Sequence, residues 1–175
     1  MKKILKSLVY VIFFIFISMV LLPKQELFYF LEKKIEEKNI VISNEQFENK
    51  ILGFDLKYSD IYFEQINVAN VEKLSINTYL FYNQVSIKNV RLLDSFKSMF
   101  PTPLTNIYLT YSILDYENVQ IEADGIFGKL YGSINIFDRK AIVYLEATSS
   151  MKNSYSNVLR QMKFKDGRYV YEYKF

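Results

Sequence analysis

The sequence predicts a mainly β chain of the α+β kind: two N-terminal helices, an antiparallel meander sheet, and one short helix near the C-terminus. Three observations carry this. A charge-free apolar run, Ser7–Leu22, opens the chain behind Lys2, Lys3 and Lys6. After Asn39 the helical period gives way to short runs rich in Ile, Val, Phe, Tyr and Leu, cut by Asn, Ser, Asp or Gly about every ten residues, which is how meanders read. Fifteen Tyr and fifteen Phe against four Ala tilt the composition toward strands.

As a helix, Ser7–Pro23 spans about 26 Å at roughly 1.5 Å per residue, against a bilayer hydrocarbon core of about 30 Å. Ile4 and Leu5 extend it, because Lys6 can snorkel to the headgroups. A cleaved signal peptide needs small residues at the cut, but Phe16 precedes Ser18 at the position that matters, and Pro23, Lys24 and Gln25 follow Leu22. An uncleaved anchor over 1–23 is therefore expected. The lysines keep Met1 on the cytoplasmic side and send 24–175 across as one domain. The core helix of a soluble protein is the poorer reading, since this run is apolar all round and flanked by lysines.

Composition removes several function classes. With neither His nor Cys, the chain has no histidine base, no thiol nucleophile and no disulfide, and it lacks the usual zinc, copper and haem ligands. No calcium-type loop, phosphate-cradling glycine loop or G-x-S-x-G elbow appears, so no metal or cofactor is expected. Lys2, Lys3 and Lys6 account for the net charge of +3 and leave nineteen cations against nineteen anions. Such a balanced domain lacks the basic footprint of a nucleic-acid binder.

Along the chain, Pro23 suits the start of a second helix. Over Lys24–Lys38, Leu27, Phe28, Leu31 and Ile35 form one stripe, expected to cap the end of the sheet, and Asn39 can end the helix. Strand runs follow: NIVISNEQF, KILGFDLKYS, DIYFEQINVA, EKLSINTYL and NQVSIKNVRLL. Leu74 and Ile76 alternate with Lys73, Ser75 and Asn77, and Val85 and Ile87 with Ser86 and Lys88, giving an apolar and a wet face. Tyr79–Tyr82 reads as a turn or short helical insertion. Asp94–Asn106, with two prolines and a helical turn over Ser95–Met99, reads as a crossover loop. The strands resume with NIYLTYSILDY, ENVQIEAD, GIFGKLYGSINIFD, RKAIVYLEAT and GRYVYEYKF. Gly125, Gly128 and Gly132 mark bends or close backbone approach. Asp138–Lys140 and Asp166-Gly167 read as hairpin turns. Ser154–Lys163 reads as one short helix on Tyr155, Val158, Leu159 and Met162, and Tyr169, Tyr171 and Tyr173 share one face of the last strand.

The basic start, membrane helix and Pro-led amphipathic helix resemble the type II secretion system protein N family, which is related in architecture to AsmA-like envelope proteins. The resemblance continues through KKIEEKNIVISNEQF, VEKLSINTYLFYNQVSIKNVRL, ADGIFGKLYGSINIFDRKAIVYLEA and LRQMKFKDGRYVYEYKF. It implies a twisted, curved sheet standing on the bacterial inner membrane in the periplasm, and no catalytic residues.

Two non-enzymatic functions are expected. One is an accessory component of a type II secretion-like or DNA-uptake apparatus, contacting other envelope proteins through exposed strand edges. The alternative is AsmA-like lipid handling, with phospholipid against an apolar groove of Val85, Ile87, Val119, Ile121, Ile134, Ile136, Val143 and Leu145. Each of these also reads as an ordinary core residue under a helix. The acidic pairs Asp115/Glu117 and Glu122/Asp124 share strand faces, but such pairs read first as solvated charge, so no enzyme is expected.

Overall fold

The computed structural model describes residues 2–93, 96–97 and 100–175, with the backbone alone for Lys2 and Lys3. Helix α1 (Lys2–Val20) is followed by α2 (Lys24–Glu36). The strands are β1 (Ile40–Ser43), β2 (Gln46–Lys50), β3 (Gly53–Phe63), β4 (Ile66–Thr78), β5 (Tyr82–Leu92), β6 (Leu104–Ser112), β7 (Asp115–Gly125), β8 (Gly128–Asn135) and β9 (Lys140–Ala147). Then come α3 (Ser149–Ser154), α4 (Ser156–Leu159), β10 (Lys163–Lys165) and β11 (Arg168–Lys174).

All eleven strands join one antiparallel sheet in the order β1-β3-β4-β5-β6-β7-β8-β9-β11-β10, with β2 also on β3. Strands β1 and β2 lie end to end along β3, on 60–63 and 53–57. The break between them falls at Asn44, with a φ of 61°, and β3 has its own left-handed residue in the same stretch, Tyr58 at 57°. The strands are fewer cuts and longer runs than the ten-residue spacing suggests. DIYFEQINVA is not one strand but a hairpin, turning at Glu64-Gln65 with φ of 49° and 68°. NIYLTYSILDY likewise turns at Ile113-Leu114.

The 93–103 connection is not a crossover. It joins β5 and β6, which are neighbours, and the helical turn expected over Ser95–Met99 lies outside the described residues except for Phe96 and Lys97. The meander order is broken instead at β10, which lies outside β11. The Asp166-Gly167 turn has both residues at positive φ, 50° and 80°, as a two-residue type I′ hairpin requires. The expected Ser154–Lys163 helix is met only over α4, and a second short helix precedes it: Thr148 caps α3 through a bond accepted from the Met151 amide, and Tyr155 at φ −127°, ψ 36° separates α3 from α4. Its apolar positions still do the packing, together with Met151. Leu145, Phe127, Met151 and Leu159 form a buried cluster joined by Tyr155, Val158, Met162 and Tyr169.

A second cluster lies at the other flank. Phe28 of α2 meets Phe54 and Phe47 at ring distances of 5.9 and 5.8 Å, over Leu56, Leu74 and Ile76. The α2 stripe thus covers a face of the sheet rather than capping its end. Two of the glycines sit where the neighbouring strand leaves no room for a side chain: a Cβ at Gly132 would lie 2.1 Å from the Ile142 carbonyl oxygen, and one at Gly128 2.0 Å from that of Glu146.

Helix α1 stands apart, with its side chains from Ile4 to Ile17 exposed. It stops at Val20, short of Leu22, and Pro23 separates it from α2 by a bend of 65°, as a residue lacking an amide proton should. Among the described residues no single helix is long and apolar enough to cross a membrane; α1 and α2 pass only as that bent pair.

Candidate functional site

The register assembles one apolar face. A first row runs Leu56, Leu74, Ile87, Ile107, Ala123, Leu130, Leu145 and Tyr169. Two residues along each strand, a second row runs Phe54, Ile76, Val85, Leu109, Ile121, Gly132, Val143 and Tyr171. A third carries Tyr111, Val119, Ile134, Ala141 and Tyr173. Because strand side chains alternate with period two, all three rows share one side of the sheet.

Seven of the eight candidate groove residues fall in these rows: Val85, Ile87, Val119, Ile121, Ile134, Val143 and Leu145. Ile136 does not; it lies in the β8–β9 turn over 136–139 and is exposed. A strand reading of GSINIFD carried it too far, because Asn135 already bonds the Asp138 amide at 2.7 Å and starts the turn. Leu145 is core under α3 and α4. The other six are half-buried.

Helix α2 packs on β1 and β2, and α3 on β9, so the two helical covers sit on opposite flanks. Between them the second and third rows across β5–β8 form a strip of aliphatic and tyrosine side chains. Leu109 and Tyr111 belong to it, and sequence reasoning passed them over because NIYLTYSILDY was not resolved into strand and turn. Tyr171 and Tyr173 continue the strip, whereas Tyr169 is drawn into the C-terminal cluster.

The opposite face is polar but not uniformly wet, since Asp55, Ser75 and Ser86 are buried in one row of it. Asp55 is gripped by Lys50 at 2.5 Å and Lys73 at 2.7 Å. Burial by itself would raise its carboxyl pKa, but hydrogen bonds from Lys50, Lys73 and Ser75 outweigh that and bring it down to about 2. Farther across, Tyr131 and Tyr144 stack at 5.5 Å and the Arg168 guanidinium reaches over both rings.

The two acidic pairs have different surroundings. Asp115 accepts bonds from the amides of Asn118 (2.7 Å) and Gln120 (3.0 Å), while Glu117 is exposed. Asp124 accepts from Asn106 at 3.1 Å, beside a concavity of about 500 Å³ that Glu122, Lys129 and Tyr131 also line. Among the described residues no cluster of three or more carboxylates could hold a metal ion. Comparison with family models, with curated proteins and with solved structures found no match to this chain.

Proposed function

We propose that this chain is a membrane-held, non-enzymatic envelope protein that handles lipid on the apolar strip of its sheet. In this reading α1 is the tether in the bacterial inner membrane, Met1 is cytoplasmic and residues 24–175 stand in the periplasm. The observation that carries it is the strip itself: aliphatic residues contributed by four adjacent strands, left half-exposed between two helical flanks. Acyl chains match such a surface, because covering its aliphatic side chains releases water from apolar area while the tyrosine hydroxyls can stay at its margin. The curvature expected of an AsmA-like sheet would deepen the strip into a groove.

The accessory role in a type II secretion-like or DNA-uptake apparatus suits the same tether and remains the second reading. Its expected route, strand addition at an open edge, is hindered. One edge is kinked at Asn44 and carries Glu48 and Lys50, and the other is three residues long with Lys163 and Lys165, the devices that discourage edge pairing. A protein partner would instead sit on the apolar strip.

The test is a photo-crosslinking amino acid placed at Leu109 and Ile121 of the full chain in living bacteria, with Thr110 and Gln120 of the opposite face as controls. Phospholipid adducts at the first pair alone support lipid handling. Adducts to another envelope protein there support the accessory role instead, and adducts at neither site overturn both.

A further inference from the structure

The alternation of strand direction sorts the turns into two ends, and the two ends differ. At one end lie the connections β2–β3, β4–β5, β6–β7 and β8–β9 and the C-terminal Phe175. Each of these four turns is tipped by a large apolar residue in solvent: Ile51 is 70% exposed, Phe81 60%, Leu114 87% and Phe137 68%. At the other end the two-residue turns are Glu64-Gln65, Ile126-Phe127 and Asp166-Gly167. There Ile126 is 44% exposed while Phe127 folds wholly into the core, and the exposed Phe63, Ile66 and Phe164 flank polar tips and do not form them.

Hairpin turns are ordinarily polar, because water is their solvent. Four consecutive apolar tips in a row therefore call for another solvent. Tyrosines stand just behind them, with Tyr82 next to Phe81, Tyr116 two residues after Leu114 and Tyr173 two before Phe175. Tyrosine prefers the level of the lipid headgroups, with apolar groups beyond it.

The same end is where α1 departs. Phe28, in the first half of α2, packs on Phe54, one residue from the β2–β3 turn. The far end of α2 reaches the β3–β4 turn, where the Asn39 carbonyl accepts the Glu64 amide at 2.9 Å. Helix α2 therefore climbs the sheet, and the exposed apolar α1 meets it at the apolar-tipped end. The 65° bend is less than a right angle, so α1 leads away past that end and does not fold back over the strands.

We propose that this end of the sheet is seated in the bilayer surface, with the four turn tips among the acyl chains and the tyrosines at headgroup level. The inference rests on the reading of α1 as a membrane tether and deepens it. The third apolar row, Tyr111, Val119 and Ile134, adjoins these turns, so the strip opens directly onto the membrane and a lipid can pass between them without crossing water.

The chain has no cysteine, so single-cysteine variants of the full protein can be labelled directly. An environment-sensitive fluorophore is placed at Phe81→Cys, Leu114→Cys or Phe137→Cys, at Gln65→Cys and Asp166→Cys as far-end controls, and at Phe14→Cys within α1. Each variant is reconstituted in phosphatidylethanolamine–phosphatidylglycerol vesicles, with and without lipid carrying a nitroxide near the headgroup. The expected result is a blue-shifted emission, quenched by the nitroxide lipid, at Phe14 and at all three turns, and a solvent-like emission at Gln65 and Asp166. Quenching at Phe14 with solvent-like turns overturns the seating and leaves the tether intact. No quenching at Phe14 overturns the tether reading and the seating with it. A blue shift at the turns without lipid quenching signals a protein–protein contact and also overturns the seating.

Discussion

Phe54 and Ile121 lie in the same row of the same sheet face, four strands apart, yet one is core and the other is surface. Phe54 is wholly buried beneath α2, stacked on Phe47 at 5.2 Å. Ile121 has equally apolar neighbours in its row but no helix above it. The difference shows that a strand's alternation fixes which side its apolar residues take, whereas burial depends on where the helices land. In this chain they land on the two flanks and leave the middle open.

The comparison can be broken most severely at the flank. Phe54→Ala should cost about 3–5 kcal/mol, the usual range for a buried phenylalanine, while Ile121→Ala in the strip should cost about 1 kcal/mol because part of that side chain is already in water. Denaturant titration of the detergent-solubilised full chain measures both, and equal losses would mean that the strip is as much core as the flank. Gly132→Val should cost about 3 kcal/mol, since its Cβ would collide with the backbone of β9 and not with a movable side chain. A variant that melts like the parent would place the strand approach elsewhere.

Asp55→Asn tests the polar side of the same flank. It leaves Lys50 and Lys73, both partly in solvent, facing a neutral amide and should lower stability by about 2 kcal/mol. The acid dependence has a fixed sign. The folded pKa of about 2 lies below the ordinary 3.8, so the pairing contributes fully above pH 3.8 and is lost as the pH falls toward 2, a change of about 2 kcal/mol. In Asp55→Asn that part of the acid slope should vanish. The smallest expected effect is that of Val119→Ser on melting, under about 1 kcal/mol, although the same change should reduce lipid adducts at Ile121.

Much of the fold was legible in the residues. Pro23, Asn39 and Asp166-Gly167 act where their backbone chemistry requires, and Val85, Ile87, Val119 and Ile121 share the face that their alternation implies. The misread turns have a common physical cause. Glu64-Gln65 and Ile113-Leu114 carry none of the Gly, Asn or Asp that normally announces a hairpin, so each hairpin passed for a strand. Ile136 differs: its turn does carry Asn135 and Asp138, but it starts two residues before Asp138 and takes in an apolar residue. Of the expected Ser154–Lys163 helix only Ser156–Leu159 forms, because Tyr155 breaks the helical backbone and the preceding residues form a separate helix capped by Thr148. Whether an apolar strand face lies under a helix depends on contacts distant in the chain, which no local pattern encodes.

The central claim is that the open strip holds lipid, and the most direct measurement is native mass spectrometry of the full chain released from membranes beside the double variant Ile121→Glu, Val143→Glu. Both proteins keep α1 and whatever lipid surrounds it, so the difference between them reports the strip alone. The account predicts that the parent retains phospholipid which the variant, still melting cooperatively, has lost. An identical lipid complement on the two would contradict it.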